Sequence, residues 1–147
     1  MMNRKEKTRK GKRKMTGWII AAVIVASIGI GGAFGWSKLS KEHNEIRNLS
    51  LNKVDFGALK DGSYTGTFEG GMYRWRQNTI RVTVESGAVV TIEVLEHKEN
   101  RSKQFTDQLF NRVIDNQTLQ VDVVSGATIT SKAYLQGIEN ALIQSRQ

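Results

Sequence analysis

Residues 17–36 run for twenty positions without a charge, from Gly17-Trp18-Ile19-Ile20 to Ala33-Phe34-Gly35-Trp36. At about 1.5 Å per residue, a helix of that length matches a bilayer core of roughly 30 Å. Buried in protein instead, it would need a large body around it, and the rest of the 147-residue chain is too short to enclose it. Trp18 and Trp36 mark the two ends, where indole rings favour the headgroup layer. The expectation is a single membrane-spanning helix.

Charge supports the same reading. The chain carries a net charge of +8, but residues 1–15 alone hold eight Lys/Arg (Arg4, Lys5, Lys7, Arg9, Lys10, Lys12, Arg13, Lys14) against Glu6. The remainder is near neutral. A basic cluster abutting an apolar span is a topology determinant that also meets anionic lipid, so nucleic acid is not expected as a partner. It places the N-terminus in the cytoplasm and the C-terminal part outside, in a single-pass cell-membrane protein. A cleaved signal peptide is the rival, with Gly31-Gly32-Ala33 as its small-residue site, but the apolar stretch is longer than usual for one. Both readings deliver the domain to the same side. Gly31 and Gly35 form a GxxxG pair of the kind expected by chance among so many small residues.

With no cysteine, the chain has no disulfide scaffold, thiolate metal site, thiol nucleophile or acylated-cysteine anchor. Two histidines, His43 and His97, make a histidine metal centre unexpected. The expected organisation is a basic cytoplasmic tail at 1–15, a transmembrane helix (or uncleaved signal anchor) at 16–36, a stalk at 37–53 and a folded domain at 54–147. Within the stalk, Leu39, Ile46 and Leu49 recur loosely at helical spacing.

In the domain, Asp61-Gly62 opens a β-rich run to Phe68, Glu69-Gly70-Gly71 interrupts it, and Met72–Trp75 resumes it. Ile80, Val82 and Val84 alternate with polar residues, Ser86-Gly87 turns, and Val90, Ile92 and Val94 alternate again: a β-hairpin. Phe105, Leu109 and Val113 then recur every four residues, giving an amphipathic helix. Leu119, Val121 and Val123 alternate as a fourth strand, and Tyr134, Ile138, Ala141 and Leu142 mark a last helix. The fold class is α+β: a small, mostly antiparallel sheet with two packed helices, preceded by one N-terminal transmembrane helix.

Hydrolase signatures are absent. There is no Gly-x-Ser-x-Gly and no HExxH, and His97 reads as a solvated residue at a strand end. Phosphate-loop and dinucleotide fingerprints are also missing. The distinctive segment is Asp122-Val123-Val124-Ser125-Gly126-Ala127-Thr128-Ile129-Thr130-Ser131. Four hydroxyls fall within seven residues, two small residues allow close approach, and the N–H groups of a starting helix follow. Two readings stay open on these grounds: a phosphate site, or an ordinary helix cap supplied by Thr130 or Ser131.

That segment resembles the flavinylation motif of the FMN-binding domain family, which includes small flavin subunits of the sodium-pumping NADH:quinone oxidoreductase and Rnf complexes. Asp61-Gly62-Ser63-Tyr64-Thr65-Gly66 is similar to the family's opening strand, Gly70-Gly71 to its glycine step, Thr83–His97 to its hairpin and Ala133–Leu142 to its closing helix, covering about residues 60–145. The resemblance implies FMN held as a phosphoester on a threonine, installed by a magnesium-dependent flavin transferase. Carried over, Thr128 is the acceptor, Thr130 the neighbouring hydroxyl to test, and Ser125, Gly126, Ala127, Ile129 and Ser131 line the phosphate. It implies an electron carrier, more than a self-sufficient enzyme, taking electrons from a membrane quinol or redox complex to an outside acceptor. A non-covalent flavin-binding or sensing module and a flavin-free interaction domain are the alternatives. Tyr64, Phe68, Tyr73, Trp75 and Tyr134 are expected to be mainly core or sheet-face residues, and Arg74 and Arg76 to face water.

Overall fold

The alternation of Ile80, Val82 and Val84 becomes the central strand of a three-stranded antiparallel sheet. In this computed structural model, β1 is Gly62–Phe68, β2 is Asn78–Glu85 and β3 is Ala88–His97, in spatial order β1-β2-β3. The structure describes residues 6–51, 54–71 and 73–146, with side chains from Gly17 onward, Leu39 and Glu42 apart. Residues 1–5, including Arg4 and Lys5 of the basic run, and Met72 lie outside the described residues. Ser86 (φ 53°) and Gly87 (φ 77°) form the tight turn between β2 and β3. Two successive residues of positive φ suit the right-handed twist of the flanking strands.

Ile80, Val82 and Val84 are 0–1% exposed, whereas Arg81 between them faces solvent and pairs with Glu93 at 3.7 Å. One face of the sheet is therefore covered and the other is wet. The cover is helical. α2 spans Lys103–Asn116 and buries Phe105, Leu109, Phe110 and Val113, the predicted four-residue spacing. Ser102 caps it by accepting from the Phe105 N–H at 3.3 Å. α3 spans Thr128–Ile143 and buries eleven of its sixteen residues. A helix buried nearly all round needs neighbours on several sides, and α3 has β1, β2 and α2.

The expected order β-β-β-α-β-α is corrected in two places. Leu119–Val123 is extended but joins no sheet among the described residues; Leu119 is buried and Val121 and Val123 half-buried. Gln117 instead occupies the backbone of β3 there, accepting from the Val89 N–H and donating to its carbonyl, both at 2.9 Å. Tyr73–Arg76 is a turn and not a resumed strand, with Arg74 at φ 52°.

The N-terminal helix α1 runs from Glu6 to Arg47, and its segment from Gly17 is long and apolar enough to cross a membrane, with a mean hydropathy of 2.1. Its side chains from Trp18 to Trp36 are exposed, a contiguous apolar surface that water does not tolerate. The chain divides into two compact units, Met1–Lys41 and Glu42–Gln147.

α3 approaches the sheet at glycine. A Cβ on Gly66 of β1 would lie 2.1 Å from the Ala141 nitrogen and 2.4 Å from the Gly137 carbonyl oxygen; one on Gly137 would lie 2.3 Å from Asn78 Oδ1. Asn78, 2% exposed, ties the same place by donating to the Ala133 carbonyl at 3.0 Å. Gly66→Ala is expected to lower stability by about 1–3 kcal/mol through overpacking, read as a lower urea midpoint. An unchanged midpoint would mean that the helix is not seated this closely.

Candidate functional site

The loop Ser125–Ala127 ends at α3 without a side-chain cap. Ala127 is the N-cap residue and no side chain bonds to the free N–H groups. Of the two open readings of this segment, a cap supplied by Thr130 or Ser131 is therefore ruled out: both lie inside the first turn. Ser131 is fully buried and its Oγ accepts from the Val124 N–H at 3.2 Å, closing the loop back on the helix. Gly126 sits at φ 75° with open space where a Cβ would be. Ser125 and Gly126 are exposed, Ala127 is buried and Ile129 half-buried. Thr128 is exposed on the first helical residue, its hydroxyl without a hydrogen-bond partner among the described residues.

Thr130 faces the other way, into a polar cluster. It is 3% exposed, and its hydroxyl lies 3.0 and 3.2 Å from the two carboxylate oxygens of Glu99 while accepting from Arg101 Nη2 at 3.2 Å. Arg101 also binds Glu99 directly at 2.5 Å, and Arg76 Nε stands 3.7 Å from the same carboxylate. Arg101 lies over the Phe105 ring, 5.7 Å from its centroid. Tyr134 packs between Phe105 and Phe110 at 6.1 and 5.9 Å.

This cluster has more donors than acceptors. Arg76 Nε and Nη1, Arg101 Nε and the Tyr134 hydroxyl are buried without a hydrogen-bond partner. Orphaned donors gathered beside one carboxylate are costly in a fold that satisfies nothing more. They fit a ligand rich in acceptor oxygens, such as a phosphate or a flavin carbonyl. Burial raises the Tyr134 phenol above its ordinary value of 10.0, the Glu99 charge raises it further, and Arg101 opposes both.

Sequence reasoning placed Arg74 and Arg76 in water. Arg74 is exposed, 3.8 Å from Glu69, but the Arg76 side chain is only 16% exposed. Tyr64 and Phe68 are half-buried and Tyr134 is 2% exposed, as core residues should be, whereas Tyr73 and Trp75 are exposed. Glu99 and Arg101 were missed altogether. Each lies about thirty positions from Thr130 and carries no local signal. His97 is exposed at the end of β3, donating from Nδ1 to the Glu99 carbonyl at 2.7 Å.

Residues 74–143 match the family model of the FMN-binding domain. The match identifies an FMN-binding domain within residues 74–143. FMN is accordingly its cofactor, and the unpaired donors, the open Gly126 and the exposed Thr128 fit that group. The chain is 29% identical over 105 residues to an NADH:acrylate oxidoreductase of Vibrio harveyi, a match covering 69% of this chain and 10% of that protein. It is 32% identical over 90 residues to a urocanate reductase of Eggerthella lenta, covering 58% and 14% respectively. The chain thus spans a small part of the relatives it matches. A crystal structure of a Clostridium perfringens protein is similar with a TM-score of 0.47 at 21% identity, over 59% of this chain and 88% of that one.

Two outcomes are expected. Thr130→Val should cost about 1–3 kcal/mol, because Glu99 loses a donor and Arg101 an acceptor, read as a lower urea midpoint at neutral pH. For Tyr134, the folded state holds a proton that the unfolded chain releases near pH 10. Its contribution is present below that pH and is lost as pH rises towards the folded value. Tyr134→Phe should flatten that alkaline loss; an identical stability–pH curve above pH 10 would contradict the raised phenol.

Proposed function

We propose that this chain is a membrane-anchored flavoprotein that carries FMN as a phosphoester on Thr128. It passes electrons from a membrane quinol or redox partner to an acceptor outside the cytoplasm. The observation that carries the reading is the contrast within one helical turn. Thr128 presents an unpaired, exposed hydroxyl, whereas Thr130 and Ser131 are buried and bonded. A hydroxyl must be reachable to be modified by a second protein, and of these three only Thr128 is.

The surroundings suit the ester. The first N–H groups of the sixteen-residue helix α3 lack side-chain caps, and the helix dipole is positive at that end. Gly126 leaves room for a phosphate to come close. Threonine is a weak nucleophile at its free pKa, so the proton of Thr128 Oγ must leave to a base on a flavin transferase as the Oγ–phosphorus bond forms and the pyrophosphate bond of a flavin adenine dinucleotide donor breaks, releasing AMP. The net change is a gain of FMN less one water.

When bound, FMN supplies the redox chemistry, and the protein positions and tunes it. Arg76 and Arg101 offer the buried N–H groups, and Glu99 fixes Arg101 and Thr130 relative to the first turn. The two named relatives are reductases, which supports electron transfer as the setting. The match covers 10% and 14% of those proteins, so reduction of acrylate or urocanate is not part of the proposal. The apolar helix supports attachment to a lipid bilayer, and the basic run before it supports a cytoplasmic N-terminus.

The test is intact mass and in-gel flavin fluorescence of the full chain after denaturation, co-expressed with a flavin transferase. The expected result is a mass gain of FMN less water that Thr128→Ala abolishes and Thr130→Ala retains. Loss only with Thr130→Ala would move the ester. Flavin released on denaturation would replace the covalent reading by a non-covalent one. No flavin in any sample would sink the electron-carrier function.

A further inference from the structure

The end of α1 is held by a lysine. Lys132, on the second turn of α3, donates from Nζ to the carbonyl of Arg47, the last residue of α1. The last carbonyls of a helix lack backbone partners and form its negative end, so a cation suits them. This turn of α1 falls within the unit Glu42–Gln147. Ile46 in it is 3% exposed, and Leu51 just beyond packs against the hydrophobic core. The final part of the expected stalk is therefore docked on the domain. A cleft of about 500 Å³ remains beside it, bounded by residues 47–51 on one side and by Val121, Val123 and Leu135 on the other. Both partners of the Lys132 bond line that cleft, so the tie stands where close packing stops.

Lys132 is also an unmatched cation. It is half-buried, it has no carboxylate partner among the described residues, and it is the only Lys or Arg in α3. Thr128, with its exposed hydroxyl, stands four residues earlier. Side chains at that spacing share a helix face, with Cβ atoms about 5–6 Å apart. A lysine stem is long and flexible enough to carry its ammonium from one neighbour to the other. Arg76 and Arg101 are engaged by Glu99, on the side of Thr130.

We propose that Lys132 is a charge switch between Thr128 and the end of α1. The inference rests on FMN being carried at Thr128. While that hydroxyl is free, the ammonium has a carbonyl dipole as its partner. A phosphodiester on Thr128 places a full negative charge one turn away, and a pair of opposite charges makes the stronger hydrogen bond. Lys132 then turns to the ester, and the Arg47 carbonyl is left to water. Modification thus converts residues 44–51 from a docked segment into a looser tether. The switch is local electrostatics read out as a change of order. It makes and breaks no covalent bond beyond the ester itself. A carrier that must meet both a donor and an acceptor gains reach from such a tether when it is loaded.

Hydrogen–deuterium exchange of the full chain in detergent, with and without a co-expressed flavin transferase, tests this. The amides to follow are Asn48 and Leu49, whose N–H groups bond to the Asn44 and Ile46 carbonyls at 3.0 and 3.3 Å. FMN on the parent chain should speed their exchange roughly two- to tenfold, the range for losing one cation at a helix C-terminus. Lys132→Gln should show the faster exchange without FMN and no further change with it. Lys132→Arg, which keeps the charge, should keep the difference. Intact mass counts the FMN on each sample, so failure of attachment is seen separately from failure of the switch. Equal exchange in loaded and unloaded parent chain, with FMN attached, would overturn the switch and leave the carrier function standing. That result together with faster exchange in Lys132→Gln would reduce Lys132 to a fixed structural tie. Absence of FMN from the parent chain would remove both readings together.

Discussion

The seating of α3 on the sheet through Gly66 and Gly137 is the contact on which the remainder of the domain depends. Gly66 meets the helix backbone and Gly137 meets the Asn78 side chain, at separations that leave no volume for a methyl group. That proximity fixes the helix axially as well as laterally, because Asn78 at the start of β2 grips the Ala133 carbonyl and Asn140 donates to the Thr67 carbonyl at 2.8 Å. With its middle and end pinned, the helix has one position for its first turn. Thr128 and Thr130 then point to opposite sides of a structure that cannot rotate to exchange them. Placing one hydroxyl outward and the other inward is thus a consequence of glycine packing two to four turns away.

The polar cluster around Glu99 follows from the same placement. Thr130 is pressed against Glu99, and the carboxylate is drawn to Arg101 and Arg76 from two different loops. A partly buried ion network of this type contributes little net stability and serves better to hold geometry. Its unsatisfied N–H groups are a cost the fold bears in the absence of an acceptor. A cofactor phosphate or carbonyl would offset that cost, so the network links ligand binding to the order of three chain segments that are remote in sequence.

The hairpin and both packed helices were legible because their periodicities of two and of about four survive in buried positions such as Val82, Val84, Leu109 and Val113. Leu119, Val121 and Val123 show the limit of that signal. Alternation reports burial on one side, and an extended segment covering a core alternates just as a paired strand does. Whether it joins the sheet is decided by backbone partners, and at Val89 the side chain of Gln117 takes that position. The cap reading of the helix start failed for a related reason. Thr130 and Ser131 have the composition of a cap, but a hydroxyl side chain suits equally a buried bond to a distant carboxylate or to the Val124 N–H. Arg76 looked like any arginine beside an aromatic residue until the fold brought Glu99 to it.

Exposure separates two kinds of residue in the domain. The folding of α3 explains why Thr130, Ser131 and Tyr134 are buried, and each has a structural role in that burial. Packing offers no such account of Thr128, Tyr73 and Trp75. Burying Trp75 would gain apolar transfer energy, and relaxing Arg74 from its left-handed conformation would relieve strain. The fold does neither. Stability alone would favour a flatter, more polar loop, so packing does not account for the exposure of these rings.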